Sequence, residues 1–77
     1  MLFLIEYDRR RGLICSLRHW GDTDRLEASR ARLELELKLR SAGTEHEVVV
    51  LEAATEEALR KTHRRYFESV ADLASVR

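Results

Sequence analysis

Apolar residues form two short runs at the start of the chain, separated by a polar segment. Residues 1–7 and 13–20 are rich in apolar, aromatic and β-branched side chains, which are typical of strands. The polar segment 8–12 ends in Gly12, and a short glycine-containing segment between two strands is typical of a β-hairpin. The pattern therefore predicts an antiparallel strand pair as the first contact in the fold.

The first predicted strand is apolar on both faces. Phe3 and Ile5 point to one face, and Leu2 and Leu4 point to the other. A hairpin with one face in water does not need the second set of apolar residues. We therefore expect both faces of the sheet to be covered, by helices or by another chain.

The segment 22–43 is the longest continuous pattern, and it is ambiguous. Leucine alternates with charged residues over 33–40, which favours a strand, but residues 24–40 contain no valine, isoleucine, threonine or aromatic residue. Asp24 and Glu27 have the spacing of a capping box, and Gly43 stands where a glycine commonly ends a helix. Two rows of charged residues at i,i+4 spacing add support. We therefore predict a helix over 24–42.

This helix has apolar residues on two nearly opposite sides. Leu26, Leu33 and Leu37 form one stripe, and three alanines with two leucines form the other. We expect one side to pack on the sheet and the small-residue side to face a second helix or a partner.

The three consecutive valines at 48–50 predict a third strand over 44–52. The connection through the helix is long enough for a crossover, which makes strand 3 parallel to strand 2 and antiparallel to strand 1 on its open side. The predicted strand order is 2-1-3. A central position explains why strand 1 is apolar on both faces.

A second helix is predicted to begin at Thr55, with acidic residues in its first turn where the helix dipole favours them. Its apolar side includes Leu59, His63 and Tyr66, and it either continues to Ser75 or breaks near Ser69. The fold class is α+β: a ββαβα chain with a three-stranded mixed sheet (order 2-1-3) and two helices, completed by oligomerisation. We predict that residues 1–77 form a single domain, whose last eight or so residues either fray or extend the helix.

Length and composition favour a partner. A chain of 77 residues buries a small core, and a single cysteine excludes an intramolecular disulfide, so oligomerisation is the expected reinforcement.

Fourteen basic residues balance 14 acidic ones, so no net charge draws the chain to nucleic acid or anionic lipid. No apolar run is long enough to span a membrane, and the apolar start meets Glu6 without a basic segment before it, which predicts a cytoplasmic protein.

Basic residues on the second helix and in the hairpin turn are candidates for contacts with phosphate groups. Acidic residues at i,i+4 spacing offer an alternative interpretation, in which the same residues form local ion pairs on a solvated face. The nucleic-acid candidates are Arg9, Arg10, Arg11, Arg60, Lys61, Arg64 and Arg65.

No motif for metal binding or catalysis is present in the sequence. His19, His46 and His63 are scattered over three elements, and no Cys-x2-Cys or His-x3-His spacing occurs, so we predict no metal, no cofactor and no catalytic residues. The mid-strand position of Cys15 favours a buried, inert thiol. A small enzyme would need a pocket that joins Cys15 or His19 with an arginine.

The sequence therefore predicts a cytoplasmic homo-oligomer, most simply a dimer, that acts as an interaction or regulatory module without catalytic activity. A nucleic-acid-binding module is the alternative, and a small enzyme is a second one. The candidate self-association residues are apolar residues beyond the needs of one core: Leu2, Leu4, Ile14, Trp20, Ala28, Ala31, Leu35 and Leu39.

Overall fold

The computed structural model of the chain describes residues 1–68, which form three strands and two α-helices in the order ββαβα, followed by one 3-10 turn. The elements are β1 (Leu2–Asp8), β2 (Leu13–Trp20), α1 (Arg25–Ala42), β3 (Glu47–Glu52), α2 (Glu56–Thr62) and a 3-10 helix (Arg64–Tyr66). The predictions made for residues 69–77, a helix running to Ser75 or a break near Ser69, lie outside the described residues.

The three strands form one sheet in the order β2-β1-β3, which confirms the predicted order and the α+β class. β1 pairs antiparallel with both neighbours, so every hydrogen-bonded pair in the sheet is antiparallel. The prediction of a mixed sheet is therefore wrong: the sheet is antiparallel, because the two strands that run parallel to each other, β2 and β3, are not adjacent. β3 begins at Glu47, three residues later than predicted.

One face of β1 carries the main hydrophobic core. Phe3, Ile5 and Tyr7 are buried there together with Leu59 of α2 and Tyr66 of the 3-10 helix. Their alternation along β1 follows the pleat of the strand, which sends every second side chain to the same face. The second helical segment therefore covers this face of the sheet.

The opposite face of β1 is covered by α1. Leu2 and Leu4 are buried on this face, and the buried residues of α1 are Ala28 and Ala31. Small side chains let a helix backbone approach a sheet closely, so the alanine side is the one that fits here. Our expectation that the small-residue side of α1 would face away from the sheet is wrong.

The helical interpretation of the ambiguous segment is confirmed, since α1 spans Arg25–Ala42. Gly43 follows it with φ of 69°, and its N–H donates to the carbonyl of Arg40. The N–H of Thr44 donates to the carbonyl of Leu39, which completes a Schellman motif. The predicted capping box is wrong, because the side chain of Asp24 makes no capping hydrogen bond.

The hairpin contains a β-bulge beside its turn. Glu6 faces Ser16 and Tyr7 faces Ile14, so Cys15 has no partner of its own on β1. The bulge interrupts the alternation of β2, and Cys15 and Ser16 both lie close to Glu6. The side chain of Cys15 therefore does not share the core face that the simple alternation assigned to it.

The second helix is shorter than predicted. Thr55 caps its N-terminus by accepting a hydrogen bond from the N–H of Ala58 at 3.0 Å, as predicted, but α2 ends at Thr62. His63 has φ of −122° and ψ of 51°, which breaks the predicted continuous helix. The break redirects the chain so that Tyr66 reaches the sheet.

No helix among residues 1–68 is both long enough and apolar enough to cross a membrane.

We expect Gly43→Ala to lower the free energy of unfolding by about 1–2 kcal/mol, because a left-handed backbone is unfavourable for any residue with a Cβ atom. No heavy atom lies within 4 Å of an added Cβ, so the effect isolates the backbone conformation. Urea unfolding of both proteins measures the difference.

Gly21→Ala is the matched control for this substitution. An added Cβ there would lie 3.6 Å from Asp24 Oδ2, an ordinary contact, and the backbone is not left-handed. Its effect should stay within about 0.5 kcal/mol. Equal losses for the two variants would contradict the assignment of Gly43 as the residue that ends α1.

Candidate functional site

Three leucines on the outer side of α1 are exposed to solvent. Leu26, Leu33 and Leu37 have exposed fractions of 65%, 57% and 51%. They follow one another at spacings of seven and four residues, so they lie in one row on the helix surface that faces away from the sheet. We call these three residues the leucine stripe.

The predicted self-association residues have a different placement. Leu2, Leu4, Ala28 and Ala31 are buried within the chain, between the sheet and α1. The other four are partly exposed: Ile14, Trp20, Leu35 and Leu39. The apolar side of α1 that is open to solvent is therefore the leucine stripe, which we had expected to pack on the sheet.

The predicted nucleic-acid residues are largely engaged with carboxylates. On α2 and after it, the i,i+4 pairs that the spacing indicated are formed. The two arginine groups also meet, since Arg9 of the hairpin turn and Arg65 of the 3-10 helix both contact Glu47. The pairs are Arg60–Glu56 at 2.9 Å, Lys61–Glu57 at 3.2 Å, Arg64–Glu68 at 2.9 Å and Arg11–Asp8 at 3.7 Å.

Glu47, at the start of β3, is the centre of a charged cluster that joins three elements. Its carboxylate accepts hydrogen bonds from Arg9 at 3.1 Å, from Arg65 at 2.9 Å and from the hydroxyl of Tyr66. The Arg65 guanidinium lies 4.1 Å from the ring centroid of Tyr66, and Tyr66 packs edge-on against Tyr7 at 5.0 Å. The cluster holds the 3-10 helix on the sheet.

The contacts within this cluster shift the pKa values of Glu47 and Tyr66. The hydrogen bond from Tyr66 lowers the pKa of Glu47 below its usual 4.5, and the hydrogen bond from Arg9 acts in the same direction. Burial, followed by the hydrogen bond to Glu47, raises the pKa of Tyr66 above 10.0. At neutral pH the carboxylate is therefore ionised and the phenol protonated, which is the state that the hydrogen bond requires.

A second polar cluster lies on the α1 face of the sheet. His46 Nδ1 lies 2.6 Å from Glu6 Oε2, and His46 Nε2 lies 3.6 Å from Asp8 Oδ2. The hydroxyl of Ser16 donates to Glu6 Oε1 at 3.3 Å. The thiol of Cys15 completes the group, because one ligand atom from each of Glu6, Cys15 and His46 lies within 4.8 Å of the other two.

The members of this cluster come from three parts of the fold, β1, β2 and the loop before β3. Glu6 and Asp8 come from the end of β1, and His46 comes from the loop between Gly43 and β3. Cys15 comes from the bulge in β2, which turns its side chain toward Glu6. The convergence therefore depends on the pairing of β1 with both of its neighbours.

Cys15 is exposed, so the prediction of a buried thiol is wrong. Removal of part of the surrounding water, followed by the negative charges of Glu6 and Asp8, raises the pKa of the Cys15 thiol above 9.0. The thiol is therefore protonated at neutral pH, which makes it a poor nucleophile by itself. The backbone N–H of Arg11 lowers the pKa of Asp8, so that neighbour stays ionised.

An open cleft of about 890 Å³ lies beside His46, between the hairpin turn and the loop after α1. Charged residues of both signs line it, with the three arginines of the turn on one wall. His19 lies elsewhere, on the face that carries the main core, with its ring 6.2 Å from that of Phe3. The enzyme interpretation needs a pocket that joins Cys15 or His19 with an arginine, and neither of these two residues lines this cleft.

Sequence reasoning did not select Glu6, His46 or Glu47 as members of a site. Cys15 and His46 are 31 positions apart in the sequence and share no motif spacing. The available signal was Glu6, a charged residue that interrupts the apolar face begun by Leu2 and Leu4 on the central strand. A charge at such a position needs polar neighbours from the adjacent strands.

Comparison of the chain with protein-family models, with curated proteins and with solved structures found no significant match.

We expect Glu47→Gln to remove a pH-dependent contribution to stability. Because the folded-state pKa of Glu47 is lowered below 4.5, its stabilisation is present above pH 4.5 and is lost as the pH falls below that value. At pH 7 the variant should unfold more easily by about 2 kcal/mol, and the difference should shrink at about pH 3. Urea unfolding at several pH values measures it.

Glu52→Gln is the matched control, since Glu52 ends the same strand and pairs with Arg25 at an exposed site. Its effect should stay below about 1 kcal/mol at every pH. A difference between Glu47→Gln and the unmodified chain that does not change with pH would contradict the proposed role of the Glu47 charge.

Proposed function

We propose that this protein is a homodimeric interaction module, whose two copies associate through the leucine stripe of α1. The observation that carries the proposal is the exposure of Leu26, Leu33 and Leu37 in one row on a regular helix of 18 residues. Burying one leucine side chain contributes about 1.5–3 kcal/mol, so leaving three in water is unfavourable when a partner can cover them.

A second copy of the chain fits this surface better than a strongly charged partner. The formal net charge is zero, so two copies do not repel each other and a polyanion is not attracted. The stripe extends over 12 residues from Leu26 to Leu37, about 16 Å along the helix, and a contact of this size supports a weak dimer. We therefore expect a dissociation constant in the micromolar range.

The charges beside the stripe favour antiparallel pairing of the two α1 helices. In a twofold antiparallel pair, each side of one helix meets the same side of the other. Arg30 and Glu34 lie on one side of the stripe, so pairing centred near residue 32 brings Arg30 of each copy close to Glu34 of the other. The same alignment places Leu26 of one copy near Leu37 of the other, and both the apolar and the charged contacts are satisfied together.

Two further features support parts of the proposal. Cys15 is an exposed free thiol, which suits the cytoplasmic location that we propose, because free thiols persist in reducing compartments.

The arginines of the nucleic-acid alternative are mostly paired with carboxylates of the same chain, so a phosphate would have to displace those partners. The dimeric module therefore has more support than the nucleic-acid module.

We expect Leu33→Glu to raise the dimer dissociation constant at least about tenfold, because it introduces two like charges at the centre of the paired helices. Sedimentation equilibrium from low to high micromolar concentration measures the constant. Lys38→Glu is the matched control, an exposed position on the same helix outside the stripe, and should leave association unchanged. A folded unmodified chain that stays monomeric at high micromolar concentration would contradict the proposed dimer.

A charge exchange tests the antiparallel alignment separately. Arg30→Glu should weaken association, since it places two glutamates of each copy against those of the other. Addition of Glu34→Arg to that variant should restore the affinity, because the opposite charges meet again with their positions exchanged. Failure of the double variant to recover would exclude this alignment while leaving the leucine contact in place.

A further inference from the structure

We infer that Glu6, Cys15 and His46 form a binding site for a divalent transition-metal ion of the zinc class. The three residues supply one oxygen, one sulfur and one nitrogen ligand, the three ligand types that Zn²⁺ uses in proteins. They come from β1, from the bulge in β2 and from the loop before β3. A metal ion bound here would join all three strands at one end of the sheet.

The spacing of the ligand atoms suits a tetrahedral ion. Bond lengths of about 2.0–2.3 Å place neighbouring ligand atoms about 3.3–3.6 Å apart. The distances in the structure bracket that value, since Glu6 Oε2 and His46 Nδ1 are 2.6 Å apart and the three ligand atoms all lie within 4.8 Å of one another. To admit the ion, side-chain rotations must therefore separate Glu6 from His46 and bring the sulfur closer to both.

The charge of the site also calls for a cation. Glu6 is only 14% exposed at its side chain, and among residues 1–68 it forms no ion pair with an arginine or a lysine. Its contacts are the ring of His46 and the hydroxyl of Ser16. Binding of the ion releases the Cys15 proton, and the resulting thiolate together with the Glu6 carboxylate neutralises the divalent charge. Without an ion, the described residues offer the Glu6 carboxylate only the ring of His46 and the hydroxyl of Ser16.

Asp8 is placed to orient the histidine. When Nδ1 of His46 binds a metal ion, the ring proton is on Nε2, which lies 3.6 Å from Asp8 Oδ2. A carboxylate behind a metal-bound histidine fixes the ring orientation and raises its basicity. The two backbone N–H groups of Arg10 and Arg11 hold Asp8 in this position by donating to Oδ1. Asp8 is therefore a positioning residue.

The exposure of Cys15 leaves one side of the site open to solvent. Three protein ligands leave the fourth position of a tetrahedral ion to water, the arrangement of zinc sites that can exchange a ligand. The inference does not depend on the leucine stripe, because no ligand belongs to α1. The two proposals can therefore fail independently.

Titration of the full, reduced chain with Co²⁺ tests the site, since cobalt reports its ligands by absorption. We expect one ion per chain, a thiolate-to-cobalt charge-transfer band, and displacement of the cobalt by Zn²⁺. Cys15→Ser should remove the band, and Glu6→Gln and His46→Gln should each weaken binding by more than about tenfold. Asp8→Asn should weaken it about 10- to 100-fold with the charge-transfer band retained.

His19→Gln is the matched control, a substitution of an exposed histidine on β2 that takes no part in the cluster, and it should leave the affinity unchanged. Circular dichroism without metal checks that each variant is folded. If His46→Gln does not fold, the affinity of Glu6→Gln decides. The inference is overturned if no charge-transfer band appears, or if folded Glu6→Gln binds cobalt as tightly as the unmodified chain.

Discussion

The burial of β1 on both faces is the constraint on which the other contacts depend. β1 is the central strand, and its alternating side chains need one cover above the sheet and another below it. The two covers differ in character. The alanine side of α1 approaches closely over Leu2 and Leu4, whereas Leu59 and Tyr66 pack on the face formed by the other residues.

The close packing of α1 determines which surface remains open. A helix can bury only one side against a sheet, and the side with alanines fits over β1 with less space than the side with leucines. The leucine stripe therefore faces solvent, and this outcome is the basis of the dimer that we propose. The apolar residues of α1 that the core does not bury therefore form one continuous row along the outer side of the helix.

The two polar clusters lie where the apolar cover of β1 ends. Toward its C-terminal end the strand changes from buried leucines to Glu6 and Asp8, and the edge strands bring Cys15, Ser16 and Glu47 beside it. One cluster is neutralised by arginines and holds the 3-10 helix in place. The other contains a carboxylate, a thiol and an imidazole, and among residues 1–68 no arginine contacts Glu6. This difference in charge distinguishes the first cluster, a structural contact, from the second, the candidate metal site.

The sequence by itself determined the helical state of Arg25–Ala42 and its end at Gly43, because residue type and local spacing act within a few positions of the chain. It also determined the strand order, because the connection through α1 is long enough for a crossover that returns the chain to the open side of β1. It also indicated the surplus of apolar surface. Only the tertiary structure decided which side of α1 is exposed, where the second helix breaks, and that Glu6, Cys15 and His46 meet. These outcomes depend on how closely two surfaces approach and on a one-residue bulge, and neither has a local pattern in the sequence.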